Sequence, residues 1–145
     1  MQPSAAIINK ENLADEYASC DIFVLPAIID SKSDTEGLGI VAIEALAHEK
    51  PVIASAVGGI VDIVRSGVTG LLVPQKDPDA LAAAILKVLA EPHLAQQLGR
   101  QGLQDVRVRF GWSRIVPLWQ EVFSSALANT TPTLSQTVKL WFVLI

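Results

Sequence analysis

With 145 residues, half of them apolar, 18% charged and a formal net charge of −4, the chain has the size of one domain and enough apolar side chains for a core. Wholesale disorder is excluded by that composition, and the negative balance carries no electrostatic footprint for nucleic acid. The single cysteine, Cys20, has no partner for an internal disulfide, which suits a reducing, cytoplasmic setting.

Taken in chain order, Ala5 to Ile8 is a weak strand candidate, and Glu11 to Ser19 reads as a short helix with Leu13 and Tyr17 on one face. Cys20 is a small buried filler before the next element. Asp21 to Leu25 (DIFVL) is an apolar run of the kind found in strands covered on both sides. The polar loop Ala27 to Thr35 exceeds the two to six residues common for such connections, which marks it as functional. Lys32 within it is placed to neutralise a phosphate, although such lysines are more often simply solvated. A helix follows from about Gly39 to His48, with Ile40, Ile43, Leu46 and Ala47 as its sheet-facing stripe. His48 lies four residues after Glu44, a spacing open to a metal reading. No third ligand is in sight, and a histidine in a last helical turn complements the helix dipole.

Pro51 to Ser55 (PVIAS) is a second buried strand, opened by a proline where no ladder donor is needed. A glycine turn at Gly58 and Gly59 leads into a short apolar segment, Ile60 to Val64, and SGVTG makes a turn before a third strand, Gly70 to Val73. Asp77 followed by Pro78 is a strong helix start, a side-chain cap with a preset φ behind it. That helix runs to Ala90 and stops at Glu91-Pro92. His93 to Val108 reads as helix with a break at Gly99 or Gly102, its Arg100, Arg107 and Arg109 forming a solvated face. Ser113 caps a last helix carrying Leu118, Trp119, Val122 and Phe123, with Pro117 confining regular structure to later residues. The N-terminus shows no charged-then-apolar leader. The apolar run Leu140 to Ile145 is far short of the roughly 20 residues that span a bilayer. Strand, helix, strand, helix, strand and then helices argue an α/β fold with a parallel sheet.

Chemistry concentrates in PAIIDSKSDTEGLGIVAIEALAHEKP, Pro26 to Pro51. Strand, polar loop and helix N-terminus in that order make a ligand mouth in parallel sheets. Gly37 and Gly39 allow close backbone approach, and the amides that follow suit a phosphate. Two carboxylates, Glu36 and Glu44, flank this seat as E-x7-E. Anion repels anion, but a carboxylate accepts from hydroxyls, so a diphosphate with a sugar on either side satisfies every group. Acidic residues near a helix start are also common as dipole-stabilising surface groups.

The run from Leu13 to Trp112, through YASCDIFVLP, EGLGIVAIEALA, KPVIASAVGGIVDIV, SGVTGLLVP, DPDALAAAI and FGWS, resembles the C-terminal, donor-binding half of a retaining GT-B glycosyltransferase of the group 1, family 4 type. That resemblance implies a partial Rossmann-like, doubly wound parallel sheet followed by C-terminal helices. Residues 1–128 would form an incomplete donor lobe and 129–145 an unmatched tail. It further implies that Glu44 binds ribose hydroxyls and that the amides of Gly37, Leu38, Gly39 and Ile40 hold the diphosphate and transferred sugar. Glu36 would be the catalytic-side residue contacting that sugar near its anomeric carbon, and Gly58 and Gly59 would bring backbone amides to the donor, with Asp62 beside them either accepting from a hydroxyl or lying on the surface. The implied reaction transfers a hexosyl group from a nucleotide-diphosphate sugar to an acceptor hydroxyl with retention, with no cofactor and no obligatory metal.

Several positions depart from the family pattern. The arginine and lysine that grip the diphosphate, and the acceptor-binding N-terminal lobe, are not in this sequence. Glu49 stands where the family's helix commonly ends on glycine, and Val61 where a proline is frequent. The expectation is a segment of a longer enzyme, inactive alone, whose DIFVL strand lies at a sheet edge and invites pairing with other chains. A truncated, non-catalytic module that binds nucleotide-sugar or a protein partner is the alternative, and a doubly wound domain without sugar chemistry a third reading.

Overall fold

The computed structural model describes residues 12–29 and 39–128. The chain divides into two compact units at Phe110–Gly111. In the first unit the elements are α1 (Leu13–Ser19), β1 (Phe23–Leu25), α2 (Ile40–Ala47), β2 (Val52–Ser55), α3 (Ile60–Ile63), β3 (Gly70–Val73), α4 (Pro78–Ala90) and α5 (Pro92–Phe110). The strand candidate at Ala5 to Ile8 and the tail from residue 129 lie outside the described residues.

Among the described residues the three strands form one parallel sheet in the order β1-β2-β3, with Val24 opposite Ile53 and Ile53 opposite Leu71. The fold is therefore α/β, and among the described residues β1 is an end strand of the sheet. Its three residues are half-buried, whereas all of β2 is buried. Side chains alternate across β2 as a pleated strand requires. Val52 and Ala54 join a core with Tyr17, Ala42, Ala45, Leu46, Ile60, Ile63 and Val106. Ile53 joins the opposite core, with Val73, Val88 and Leu98. Helix α5 thus contributes to both faces, through Val106 on one and Leu98 on the other.

Helix α2 turns Ala42, Ala45 and Leu46 inward, while Ile40 is 58% exposed and Ala47 is exposed. The expected stripe of Ile40, Ile43, Leu46 and Ala47 is thus rotated toward the small residues. The reason lies in α5. A Cβ on Gly102 would sit 2.5 Å from Leu46 Cδ2, and one on Gly99 would overlap the Glu49 carbonyl. The two helices approach backbone to side chain, with Leu46 turned into the space that glycines on α5 leave open. Gly99 and Gly102 therefore do not break the helix as expected; α5 runs unbroken from Pro92 to Phe110 with both glycines buried.

The end of α2 shows how a chain stops without glycine. The amide of Glu49 donates to Leu46 O at 3.0 Å and that of Lys50 to Ala45 O at 3.1 Å. This is the paired closure usually built on a left-handed glycine, and Glu49 adopts φ 60° to make it. A left-handed non-glycine residue costs about 1 kcal/mol. Glu49 is exposed and its contact with Arg100 is 3.5 Å long, with both side chains largely in solvent, so little is lost on its removal. Glu49→Gly should therefore stabilise the unit by about 0.5–1 kcal/mol in urea unfolding.

The start of α4 is as the sequence predicts: Asp77 Oδ1 accepts from the Ala80 amide at 2.9 Å with Pro78 behind it. The second unit contains α6, Trp112–Ala128. Gly111, not Ser113, occupies its cap, its carbonyl accepting from Arg114 and Ile115. The helix nevertheless continues through Pro117, its sixth residue, which cannot donate to the Ser113 carbonyl. Leu118, Trp119, Val122 and Phe123 are exposed, with the Trp119 and Phe123 rings 5.6 Å apart.

Candidate functional site

In a parallel sheet the helices that follow β1 and β2 begin at the carboxyl ends of those strands, where ligands bind in open α/β sheets. A helix does begin directly after the second glycine of EGLG. Gly39 is left-handed (φ 66°, ψ 44°), carries no side-chain cap, and accepts at its carbonyl from the Ala42 amide at 2.8 Å. The amides of Gly39 and Ile40 therefore precede the first intrahelical bond. A Cβ on Gly39 would lie 3.1 Å from Ile60 Cγ1, so the entrance of α2 rests against α3. Gly58, left-handed at φ 51°, and Gly59, the residue before α3, lie in the turn that leads into that helix. Gly39, Ile40, Gly58 and Gly59 thus share one end of the sheet. Glu36, Gly37, Leu38 and Lys32 lie outside the described residues.

Glu44, in the second turn of α2, is half-buried and has a partner that sequence reasoning missed. The Tyr17 hydroxyl donates to Glu44 Oε2 at 2.8 Å. The Tyr17 ring, 6% exposed, stacks on His48 with centroids 5.2 Å apart and tilts against Phe23 at 5.6 Å. His48 Nδ1 in turn lies 2.8 Å from the Glu44 carbonyl. That contact in the last turn is the terminal role expected of His48. Burial above all, then the Glu44 hydrogen bond and charge, push the Tyr17 hydroxyl up to about 12. The sequence signals only that a tyrosine on the inner face of a helix brings a hydroxyl that must find an acceptor, without naming which one. Cys20, half-buried behind it, donates to Tyr17 O, and burial raises its thiol although Lys50 acts the other way.

A second charged cluster braces α3. Asp105 is buried and ion-paired through both oxygens, to Arg65 at 2.7 Å and to Arg109 at 2.8 Å. Arg109 also donates to the carbonyls of Asp62 and Ile63 at the end of α3 and lies over the Phe110 ring. Arg109 is therefore a tether between α5 and α3 rather than part of the solvated face expected of it. The Asp62 residue is exposed, and its described contact is through its backbone.

An open cleft of about 210 Å³ lies beyond the strand ends on the α4 side, lined by Pro26, Ile28, Ser55, Pro74 and Leu81 among others. Of the described residues expected to hold a nucleotide-sugar, namely Gly39, Ile40, Glu44, Gly58 and Gly59, none lines it. No group of acidic, histidine or cysteine side chains suited to a metal occurs among the described residues, and no described helix is long and apolar enough to cross a membrane.

Comparison with known proteins places this geometry in context. The family model "Glycosyl transferases group 1" matches residues 7–105. Over 122 residues the chain is 34% identical to D-inositol 3-phosphate glycosyltransferase of Streptomyces griseus, a stretch covering 84% of this chain and 24% of that protein. Sucrose-phosphate synthase of Thermosynechococcus elongatus superposes with a TM-score of 0.76 at 40% identity, over 87% of this chain and 30% of that one. HepE of Anabaena, solved in complex with UDP-glucose, superposes with a TM-score of 0.65 at 25% identity, over 76% of this chain and 29% of that one. The chain spans about a quarter of the length of the curated relatives it matches.

Proposed function

The chain belongs to the glycosyl transferases group 1 family, and we propose that it is the donor-side segment of a retaining, cytoplasmic enzyme of GT-B architecture that binds a nucleotide-diphosphate sugar and passes its hexosyl group to an acceptor hydroxyl. The observation that carries this reading is the entrance of α2. A left-handed Gly39 opens the helix against α3 at the carboxyl end of the sheet, with Glu44 farther along the same helix. In the binding mode proposed, the amides of Gly37, Leu38, Gly39 and Ile40 take the diphosphate. The Glu44 carboxylate accepts from the ribose, Glu36 accepts from the transferred sugar, and the Gly58–Gly59 turn closes the site from α3. Bond cleavage leaves negative charge on the diphosphate, and helix amides aimed at that charge stabilise it without reorganisation. Acceptor recognition falls to the N-terminal lobe of the proposed whole enzyme. The UDP and UDP-glucose complexes of HepE support a nucleotide-sugar as the ligand class.

Calorimetric titration of the chain with UDP-, GDP- and ADP-sugars tests this. One donor should bind, and Glu44→Ala should weaken it about 10- to 100-fold, the range for losing hydrogen bonds to a charged acceptor. A folded chain that binds none of them, or an alanine variant that binds as tightly as wild type, removes the assignment.

A further inference from the structure

We propose that Tyr17 is a positioning residue for the nucleotide's ribose: by donating to one oxygen of Glu44 from a fixed ring, it holds the carboxylate so that its other oxygen is presented to the 2′- and 3′-hydroxyls. The inference rests on the ribose role proposed for Glu44. A glutamate has three rotatable bonds, and an exposed one must be ordered each time a ligand arrives. Glu44 is already ordered. The Tyr17 hydroxyl meets Oε2 at 2.8 Å, and the ring behind it is wedged between Phe23 and His48. Because that hydroxyl keeps its proton far above neutral pH, it remains a donor throughout the neutral range. The remaining oxygen, Oε1, then accepts from a cis-diol that offers two donors. A nucleotide lacking the 2′-hydroxyl should feel the loss sharply in this frame and weakly when the carboxylate is loose.

Tyr17→Phe removes the donor and keeps the ring and its packing. The test titrates wild type, Tyr17→Phe and Glu44→Ala with UDP, GDP, ADP and their 2′-deoxy counterparts. Tyr17→Phe should bind the preferred ribonucleotide about fivefold more weakly and lose much of the preference for ribo over deoxyribo, a readout that lost stability alone would not move. If its ribo preference equals that of wild type, the positioning role is wrong while Glu44 as a ribose ligand still stands. If Glu44→Ala itself leaves the preference unchanged, the site reading falls and this inference with it. A second measurement needs no variant of Tyr17. It is the only tyrosine in the chain, so tyrosinate absorbance reports it alone. Wild type should remain protonated to about pH 11, above the ordinary tyrosine range, and Glu44→Gln should ionise earlier because the carboxylate's charge is gone. Identical titrations would overturn the contact.

Discussion

Gly99→Ala is expected to lower the unfolding free energy by about 3 kcal/mol, at the upper end of what overpacking costs. Alanine is the better helix former by about 1 kcal/mol, so a site chosen by propensity alone would gain from the change. Space decides against it. The new methyl would overlap the Glu49 carbonyl oxygen and stand 3.0 Å from its carbon, and those are backbone atoms fixed by the closure of α2. Relief requires α5 to move off α2, which also lifts Gly102 from Leu46. Urea unfolding followed by circular dichroism should show the lower midpoint at unchanged slope. Gly67→Ala is the matching control. Gly67 is left-handed at φ 78° but meets nothing within 4 Å of a Cβ, so it should cost only about 1–2 kcal/mol from the backbone. Equal effects at the two sites would mean that helix contact is not what Gly99 provides.

Asp105→Ala should cost about 2–3 kcal/mol, because it strips a buried carboxylate that pairs with Arg65 through one oxygen and accepts a charge-assisted hydrogen bond from Arg109 on the other. The two partners should not share that loss equally. The Arg65 side chain is 54% exposed and rehydrates when released, whereas that of Arg109 is 33% exposed and also holds the end of α3. A double-mutant cycle should give a larger coupling for Asp105 with Arg109 than for Asp105 with Arg65. The reverse order would assign the bracing of α3 to the wrong arginine.

The parts of this fold that announce themselves in sequence are those fixed by local chemistry. Apolar runs at PVIAS and GLLV became β2 and β3, Asp77-Pro78 became a capped start, and the glycine after EGL opened α2. What escaped was set by neighbours distant along the chain. Gly99 and Gly102 looked like breaks because propensity counts backbone freedom and does not see the helix lying against them. Ile40 outranks Ala42 on any hydrophobicity scale, yet Ala42 is buried and Ile40 is 58% exposed. Arg109 read as a surface charge, since its partners Asp62 and Ile63 are backbone carbonyls 47 and 46 residues away. Of the candidate site, the glycine entrance and Glu44 were readable from spacing. The link from Glu44 to Tyr17 was not, because it spans 27 residues and two helices.

The position of α5, with Leu98 serving one side of the sheet and Val106 the other, limits how this unit can be dissected. A chain cut before Leu98 would take a wall from both layers at once, and a cut between Leu98 and Phe110 would still strip the end of α5 from the layer that holds Val106 and Phe110. Excision or grafting of this lobe into another protein must therefore carry the entire helix, although the residues proposed to meet the donor all come from the first 60.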